Sequence, residues 1–243
     1  MLGWTESVHI EGLWRKPSLA MPSRFLRLSV YVDDNACSGP DKNELDSEVN
    51  KILVEFPGRV ISPFCQTESD GTVTEKHDIL GSDVSYNRTK RSLLISMPKY
   101  IEKMCLKYDE DWTKQRQAGN AKTVLSPAFK ESRLSEGKIV DFHVRGALGA
   151  LQWAATTCRP DITTPVSVLA RYTGKPVTSQ LIAAIRTVLR YVFCTKDEGL
   201  SWSPQEEEDF KSTYSKLLSS GSKFADKQSF SDASFAGCFV TLK

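Results

Sequence analysis

Tyr31-Val32-Asp33-Asp34 stands between a mainly apolar run, Leu26, Leu28 and Val30, and the short stretch Asn35-Ala36-Cys37-Ser38-Gly39. Leu26, Leu28 and Val30 alternate with Arg27 and Ser29, the period-two pattern of a half-buried strand, and the polar stretch after the Asp pair reads as its return. The expected element is a β-hairpin with two carboxylates at its tip. Adjacent carboxylates on a tight turn cannot both be buried without a counter-charge, because desolvation and mutual repulsion would protonate one of them. A divalent cation fits that need. Oxygen-only ligation beside phosphate is magnesium chemistry, and two such ions can clamp the attacking and leaving oxygens of a phosphoryl transfer. The plainer alternative is an ordinary polar turn, in which Asp is common.

With 243 residues, 40% hydrophobic and 26% charged, the chain has the composition of a globular protein of one or two domains. It holds no apolar run long enough to span a bilayer, so no membrane is expected, and the start Met1-Leu2-Gly3-Trp4-Thr5-Glu6 lacks the basic and apolar regions of a signal peptide. Six scattered cysteines without a Cys-x-x-Cys pair point to reduced thiols in an intracellular setting, cytoplasm and nucleus alike. Net charge is only +2, but it is unevenly spread. Residues 86–124 carry nine Lys/Arg against four acids, residues 138–196 eight against two, and residues 197–243 five against eight. A basic middle suits a phosphate backbone; solvated helix faces give similar counts.

Residues 1–24 show little periodicity and read as an irregular approach to the first strand. After the hairpin, Asp41 with Glu44 three residues on is a capping-box pattern, and Leu45, Val49, Ile52, Leu53 and Phe56 mark the apolar face of a helix, expected to be core, that Pro57-Gly58 stops. Residues 61–76 have no clear period. A second hairpin is expected from Ile79-Leu80-Gly81-Ser82-Asp83-Val84, a turn over Asn87-Arg88-Thr89-Lys90 and a return through Ser92-Leu93-Leu94-Ile95. Ser96 then caps a helix with Pro98 in its first turn and Tyr100, Ile101, Met104, Cys105 and Tyr108 as its stripe. Residues 109–138, with Ser126-Pro127, read as a linker. Three helical segments follow: one through Phe142, Leu148, Leu151, Gln152 and Ala155; one after the break Arg159-Pro160-Asp161, through Ile162, Val166, Leu169 and Ala170; and one capped by Thr178 or Ser179, through Ile182, Ile185, Val188, Leu189 and Val192. Gly199-Leu200-Ser201-Trp202 reads as a short strand, and residues 205–223 as an acidic, Ser-rich separator.

These motifs, in this order, resemble the copia-type LTR retrotransposon polyproteins in their reverse transcriptase region. Tyr-Val-Asp-Asp resembles the catalytic motif. Leu80-Gly81 and Tyr100-Ile101-Glu102-Lys103 match the family's strand pair and following helix. Gly146-Ala147-Leu148-Gly149-Ala150-Leu151-Gln152-Trp153, Thr157-Cys158-Arg159-Pro160-Asp161-Ile162, Ala170-Arg171-Tyr172, Pro176 and Val188-Leu189-Arg190-Tyr191-Val192 follow its connection, with Cys158 where the family usually has Thr. Ser231-Asp232-Ala233-Ser234-Phe235-Ala236-Gly237-Cys238 resembles the first strand of its RNase H domain, with Ser234 and Phe235 in place of the family's Asp and Trp.

The resemblance implies an α+β fold. A partial polymerase palm, with the hairpin and its covering helix, would span 1–97, and the start of the thumb and a linker 98–138. A helical connection would span 139–203, and a linker with a truncated RNase H-like strand 204–243. It implies magnesium on Asp33 and Asp34, a first RNase H metal ligand at Asp232, and nucleic-acid contacts from Tyr31, Val32, Gly81, Lys99, Lys103, Arg171 and Arg190. The implied partners are an RNA template with a DNA primer, or an RNA–DNA hybrid, and a polypeptide supplying the other polymerase half. Among the residues before Tyr31 the acids are Glu6 and Glu11, neither in the family's surroundings for the third catalytic carboxylate, so the expectation is a polymerase fragment inactive alone. The alternatives are a non-catalytic nucleic-acid-binding remnant and an unstable pseudogene product.

Overall fold

The computed structural model describes residues 2–32, 34–115, 124 and 129–214. Contacts divide the chain into two units, Met1–Gln66 with Glu75–Ser82 and Thr67–Thr74 with Asp83–Lys243. The class is mixed α+β, with two antiparallel sheets in the strand orders β1-β2-β3-β4 and β5-β6-β7-β8-β9. No described helix is long and apolar enough to cross a membrane.

In the first unit, β1 (Thr5–Glu6), β2 (Leu13–Pro17), β3 (Phe25–Tyr31) and β4 (Asp34–Ser38) form an antiparallel meander. Leu26 and Leu28 are buried as the alternation requires, whereas Val30, nearest the tip, is exposed. Residues 13–17 are not the irregular approach that their composition implies. Leu13 pairs with Ser29 and Pro17 with Phe25, and β2 lies between β1 and β3. Helix α1 (Lys42–Glu55) starts at Asp41, whose side chain accepts the Glu44 N–H at 2.8 Å. The reciprocal half of the capping box is absent: the Glu44 carboxylate accepts from Ser18 Oγ (2.5 Å) and the Leu19 N–H (2.6 Å) instead. The aliphatic face of α1 is not core. Leu45, Val49, Ile52 and Leu53 are half-buried, Phe56 is exposed, and the one buried residue of the helix is Glu48, bridged to Lys16 Nζ (2.7 Å) and Lys51 Nζ (2.6 Å).

Residues 61–79 contain two strands that no periodicity announces, β5 (Phe64–Thr67) and β6 (Val73–Ile79). The strand expected to run from Ile79 through Val84 is interrupted, because Leu80 and Gly81 both have positive φ (53° and 76°) and form a two-residue turn. The strands on either side of the second hairpin turn are β7 (Ser82–Asn87) and β8 (Ser92–Ser96). In the second unit β8 also pairs with β9 (Leu200–Trp202), the strand expected near Trp202.

Among the described residues, helices α2 (Pro98–Tyr108), α3 (Glu110–Gln115), α4 (Val144–Thr157), α5 (Thr163–Ala170) and α6 (Ser179–Cys194) follow. Pro98 opens α2, but its N-cap is Met97, and the proposed cap Ser96 ends β8. Ile101, Met104 and Cys105 are buried with Leu148, Leu151 and Ala155 of α4, Ile162, Val166 and Leu169, and Ile182, Ile185, Val188, Leu189 and Val192 of α6. Gln152 and Ala170, placed on those apolar faces by spacing, are exposed. Thr178 caps α6 by accepting the Leu181 N–H at 3.2 Å. Of the expected linkers, residues 131–135 form a 3-10 turn, α3 occupies 110–115, and α7 (Pro204–Tyr214) occupies the start of the acidic separator. Ser126-Pro127 and the RNase H-like segment 231–238 lie outside the described residues.

The break between α4 and α5 carries the most buried large polar side chain. Arg159, 2% exposed, donates from Nε and Nη2 to the two Asp161 carboxylate oxygens (3.0 and 2.7 Å), and from Nη1 and Nη2 to Thr195 O and Oγ1 (2.9 and 2.7 Å). Tyr191 donates its hydroxyl to Asp161 (2.9 Å). Burial alone would lower the Arg159 pKa and raise that of Asp161, but their hydrogen bonds and opposite charges prevail, so Arg159 is raised and Asp161 lowered. Burial, then the Asp161 charge, pushes the Tyr191 hydroxyl up to about 12.

Removing the arginine alone leaves a half-buried carboxylate without its cation. Arg159→Met is expected to cost about 3 kcal/mol at neutral pH, read as a lower urea midpoint; a cost under about 1 kcal/mol contradicts the clamp's role. A lowered folded-state pKa means that Asp161 stabilises above its unfolded value, near 4, and that this stability is lost as pH falls through the lower folded value. The difference between wild type and Arg159→Met should therefore shrink over that acid range. Above about pH 10, ionisation of Tyr191 in the unfolded chain should erode stability until the folded hydroxyl also titrates.

Candidate catalytic hairpin and basic surface

Backbone pairing places Asp34 at the end of the β3–β4 hairpin. Tyr31 and Asp34 are the last paired residues and Val32 follows Tyr31 at the turn; Asp33 lies outside the described residues. Two-residue hairpin loops favour turns with positive φ at the first central position, since their twist matches that of the strands. Val32 obeys this with φ 54°. A β-branched side chain is strained there, because its Cβ crowds the backbone in the left-handed region. Tyr31 (61% exposed) and Val32 (86%) project from the tip, and Asp34 is exposed beside them.

The β1–β2 connection abuts the same end of the sheet. Val30 donates its N–H to Gly12 O at 2.8 Å, and a Cβ on Gly12 would come within 2.6 Å of Val30 O, so this approach requires glycine at its φ of 74°. Glu6 is held within that connection, accepting the Gly12 N–H at 3.0 Å. The tip thus has one described acceptor of the pair, Asp34, open to water and able to serve as an oxygen ligand of a hydrated magnesium ion. Among the described residues, no group of three or more His, Cys, Asp or Glu could hold a metal.

The other residues that the sequence singled out are dispersed. Gly81 is in the Leu80-Gly81 turn, with nothing within 4 Å of where a Cβ would stand. Lys99 and Lys103 lie one turn apart on exposed positions of α2, and Lys99 is 3.7 Å from Asp83. Arg171, 65% exposed, reaches Glu131 at 3.4 Å. Arg190 donates from Nε to Asp109 at 2.8 Å and stacks over the Trp112 ring with its guanidinium carbon 5.2 Å from the centroid. Phosphate contact by Arg171 therefore has to compete with an exposed carboxylate, whereas the partner of Arg190 is buried. Asp232 lies outside the described residues.

Asp109 carries no signal in the sequence beyond being one of the four acids among residues 86–124. Its side chain is 5% exposed and holds Arg186 Nε at 3.3 Å as well as Arg190. Only the tertiary fold brings together residues so far apart in the chain.

If strain is stored at Val32, replacing it with glycine should stabilise the chain. Relief of about 1–3 kcal/mol, less about 0.5–1 kcal/mol for the more flexible unfolded glycine, leaves about 1 kcal/mol of gain for Val32→Gly, measured by urea unfolding. A loss of stability would show that Val32 is held by contacts that its 86% exposure does not reveal.

No family model matches the chain, and no solved structure matches it. The chain is similar to the retrovirus-related Pol polyprotein from transposon TNT 1-94 of Nicotiana tabacum, 27% identical over 188 residues. That alignment covers 73% of this chain and 13% of the tobacco protein. The chain thus spans only a small part of that relative's length.

Proposed function

We propose that this chain is part of a copia-type reverse transcriptase, an RNA-directed DNA polymerase, in which the β3–β4 hairpin is the catalytic turn. The observation that carries this reading is that Tyr31, Val32 and Asp34 of a Tyr-Val-Asp-Asp sequence stand exposed at the end of a hairpin, in a chain similar to a transposon Pol polyprotein. Asp33 and Asp34 are the magnesium ligands, and Tyr31 and Val32 form the floor beneath the primer terminus. Bound magnesium would stabilise the attacking and leaving oxygens of nucleotidyl transfer. The chain's own residues position it and the primer. Lys99 and Lys103 of α2, with Gly81, Arg171 and Arg190, contact the backbone of template and primer.

Two adjacent carboxylates from one turn cannot by themselves fix two metal ions and a triphosphate in line, and lost positioning removes much of the rate. The 243-residue chain is therefore expected to give no primer extension on an RNA template, its activity requiring acidic ligands from another strand. Magnesium-dependent extension by the purified chain, abolished by Asp33→Ala, would overturn that expectation.

Binding is separable from turnover. Affinity for an RNA–DNA hybrid, followed by fluorescence anisotropy, should fall steeply between about 50 and 200 mM salt. Lys99→Ala and Lys103→Ala should each reduce the slope of log affinity against log salt by roughly one. A flat salt response, or no binding at low salt, removes the support for a nucleic-acid surface.

A further inference from the structure

The cleft between the end of α2, the start of α3 and the middle of α6 has a volume of 490 Å³ and is lined by Lys107, Tyr108, Trp112, Phe142 and the trio Asp109, Arg186 and Arg190. We propose that it is a nucleotide-phosphate site, with Arg186 and Arg190 as the anion ligands, Asp109 as their positioning residue and the aromatic wall receiving the ring that the phosphate carries. This deepens the nucleic-acid reading above, on which only its polymeric form rests.

Asp109 follows the last turn of α2, its N–H donating to Cys105 O at 2.8 Å, and its carboxylate is almost fully buried. One oxygen meets Arg186 Nε at 3.3 Å and the other Arg190 Nε at 2.8 Å. A single buried carboxylate thus orients two guanidinium groups through Nε, the atom that leaves the two Nη groups at the outer edge of each fork. Both side chains remain partly exposed, Arg186 by 44% and Arg190 by 38%. The Trp112 ring fixes Arg190 from one side, and Phe193 fixes that ring edge-on at 5.7 Å. Ordering the forks before the ligand arrives reduces the entropy lost on binding.

Planar guanidinium donors match the oxygens of phosphate, and their delocalised charge is less costly to desolvate than an ammonium. The volume lies within the range of small-molecule sites. Glu110 and Asp111 also line the cleft and oppose anions. With Lys107 they leave no net positive field, so donor geometry rather than bulk charge selects the ligand. Tyr108 and Phe142, tilted at 60° with centroids 6.3 Å apart, supply the apolar wall against which a sugar or base can lie.

The test uses the full chain, labelled with nitrogen-15, and three probes: inorganic phosphate, thymidine 5′-monophosphate and a short oligothymidylate. Saturable shifts of the Arg186 and Arg190 Nε–Hε signals are expected with both thymidine probes, and tighter binding by either than by inorganic phosphate. Arg186→Gln, which keeps the Arg190–Asp109 pair, should weaken thymidine monophosphate binding at least tenfold. Arg145→Gln, an equal loss of charge at an exposed position of α4, should leave it within twofold. Should Arg186→Gln fail to fold, the arginine signals of the unsubstituted chain still decide. Absence of saturable shifts with any probe, or equal weakening in the two variants, overturns the site; inorganic phosphate binding as tightly as the nucleotide overturns the nucleotide assignment. Nucleotide binding without hybrid binding would keep the site and sink the polymerase reading, and the converse would do the reverse.

Discussion

The helical unit depends on how one buried guanidinium is paired. Arg159 follows α4 and precedes the 3-10 turn Pro160–Ile162 that leads into α5, yet two of its bonds go to Thr195, just past the end of α6. An arginine cannot shed its charge when buried, so its desolvation has to be met by acceptors in fixed positions. Asp161 supplies two, the Thr195 backbone carbonyl a third and the Thr195 hydroxyl a fourth. A cation at the carboxyl end of α6 also meets the favourable end of that helix's dipole. The apolar surfaces of α4, α5 and α6 would stabilise many relative registers, since burial is non-directional. The clamp selects one, because sliding α6 by a single residue would break both bonds to Thr195 and leave those guanidinium N–H groups without acceptors in the core. In that sense its role is specificity of packing more than net stability.

The first unit is organised differently. Its helix buries no aliphatic side chain; it buries Glu48, which Lys16 on the sheet and Lys51 on the next turn neutralise. Around that ionic contact, Leu26 and Leu28 are the buried hydrophobic residues of the sheet, while Phe56, Val54, Ile61 and Phe64 are exposed. The hairpin tip lies at the end of this sheet, where backbone pairing, more than side-chain burial, sets the geometry.

What was legible in the sequence was local. The Leu26/Leu28 alternation, the Asp41 and Thr178 caps, the Arg159-Pro160-Asp161 break and the stripe of α6 are each fixed by residues a few positions apart, and the structure shows them all. Strands β5 and β6 were not legible, because β5 is exposed throughout and β6 buries no residue fully, so neither carries an apolar alternation to read. Leu80 hid a turn because leucine is disfavoured at positive φ. The capping-box pattern of Asp41 and Glu44 holds only for Asp41, because the Glu44 carboxylate is captured by the Ser18 loop, a tertiary contact that competes with the local capping bond. At the candidate site, the exposed tip followed from the motif, whereas the strain at Val32 and the pairing of Arg186 and Arg190 through Asp109 did not.

That pairing changes how the basic middle of the chain is to be understood. Read along the sequence, residues 86–124 and 138–196 carry a large cationic excess. In three dimensions part of it is met by carboxylates from outside those stretches, Lys90 by Asp70, Lys99 by Asp83 and Arg171 by Glu131, while Lys196 pairs with Glu102 and both Arg186 and Arg190 with Asp109, acids of the first stretch. Exposed pairs of this kind contribute little to stability, because water and salt screen them, and they exchange readily for another anion. The Asp109 pair is different. Its carboxylate is buried, so exchange would strand a charge in the core, and its arginines can bind an anion only by adding it to the existing bridge. A polyanion could therefore displace the exposed acids while keeping the Asp109 bridge intact, and it is the direction of the donors, more than the summed charge, that distinguishes such a surface from any other solvated helix face.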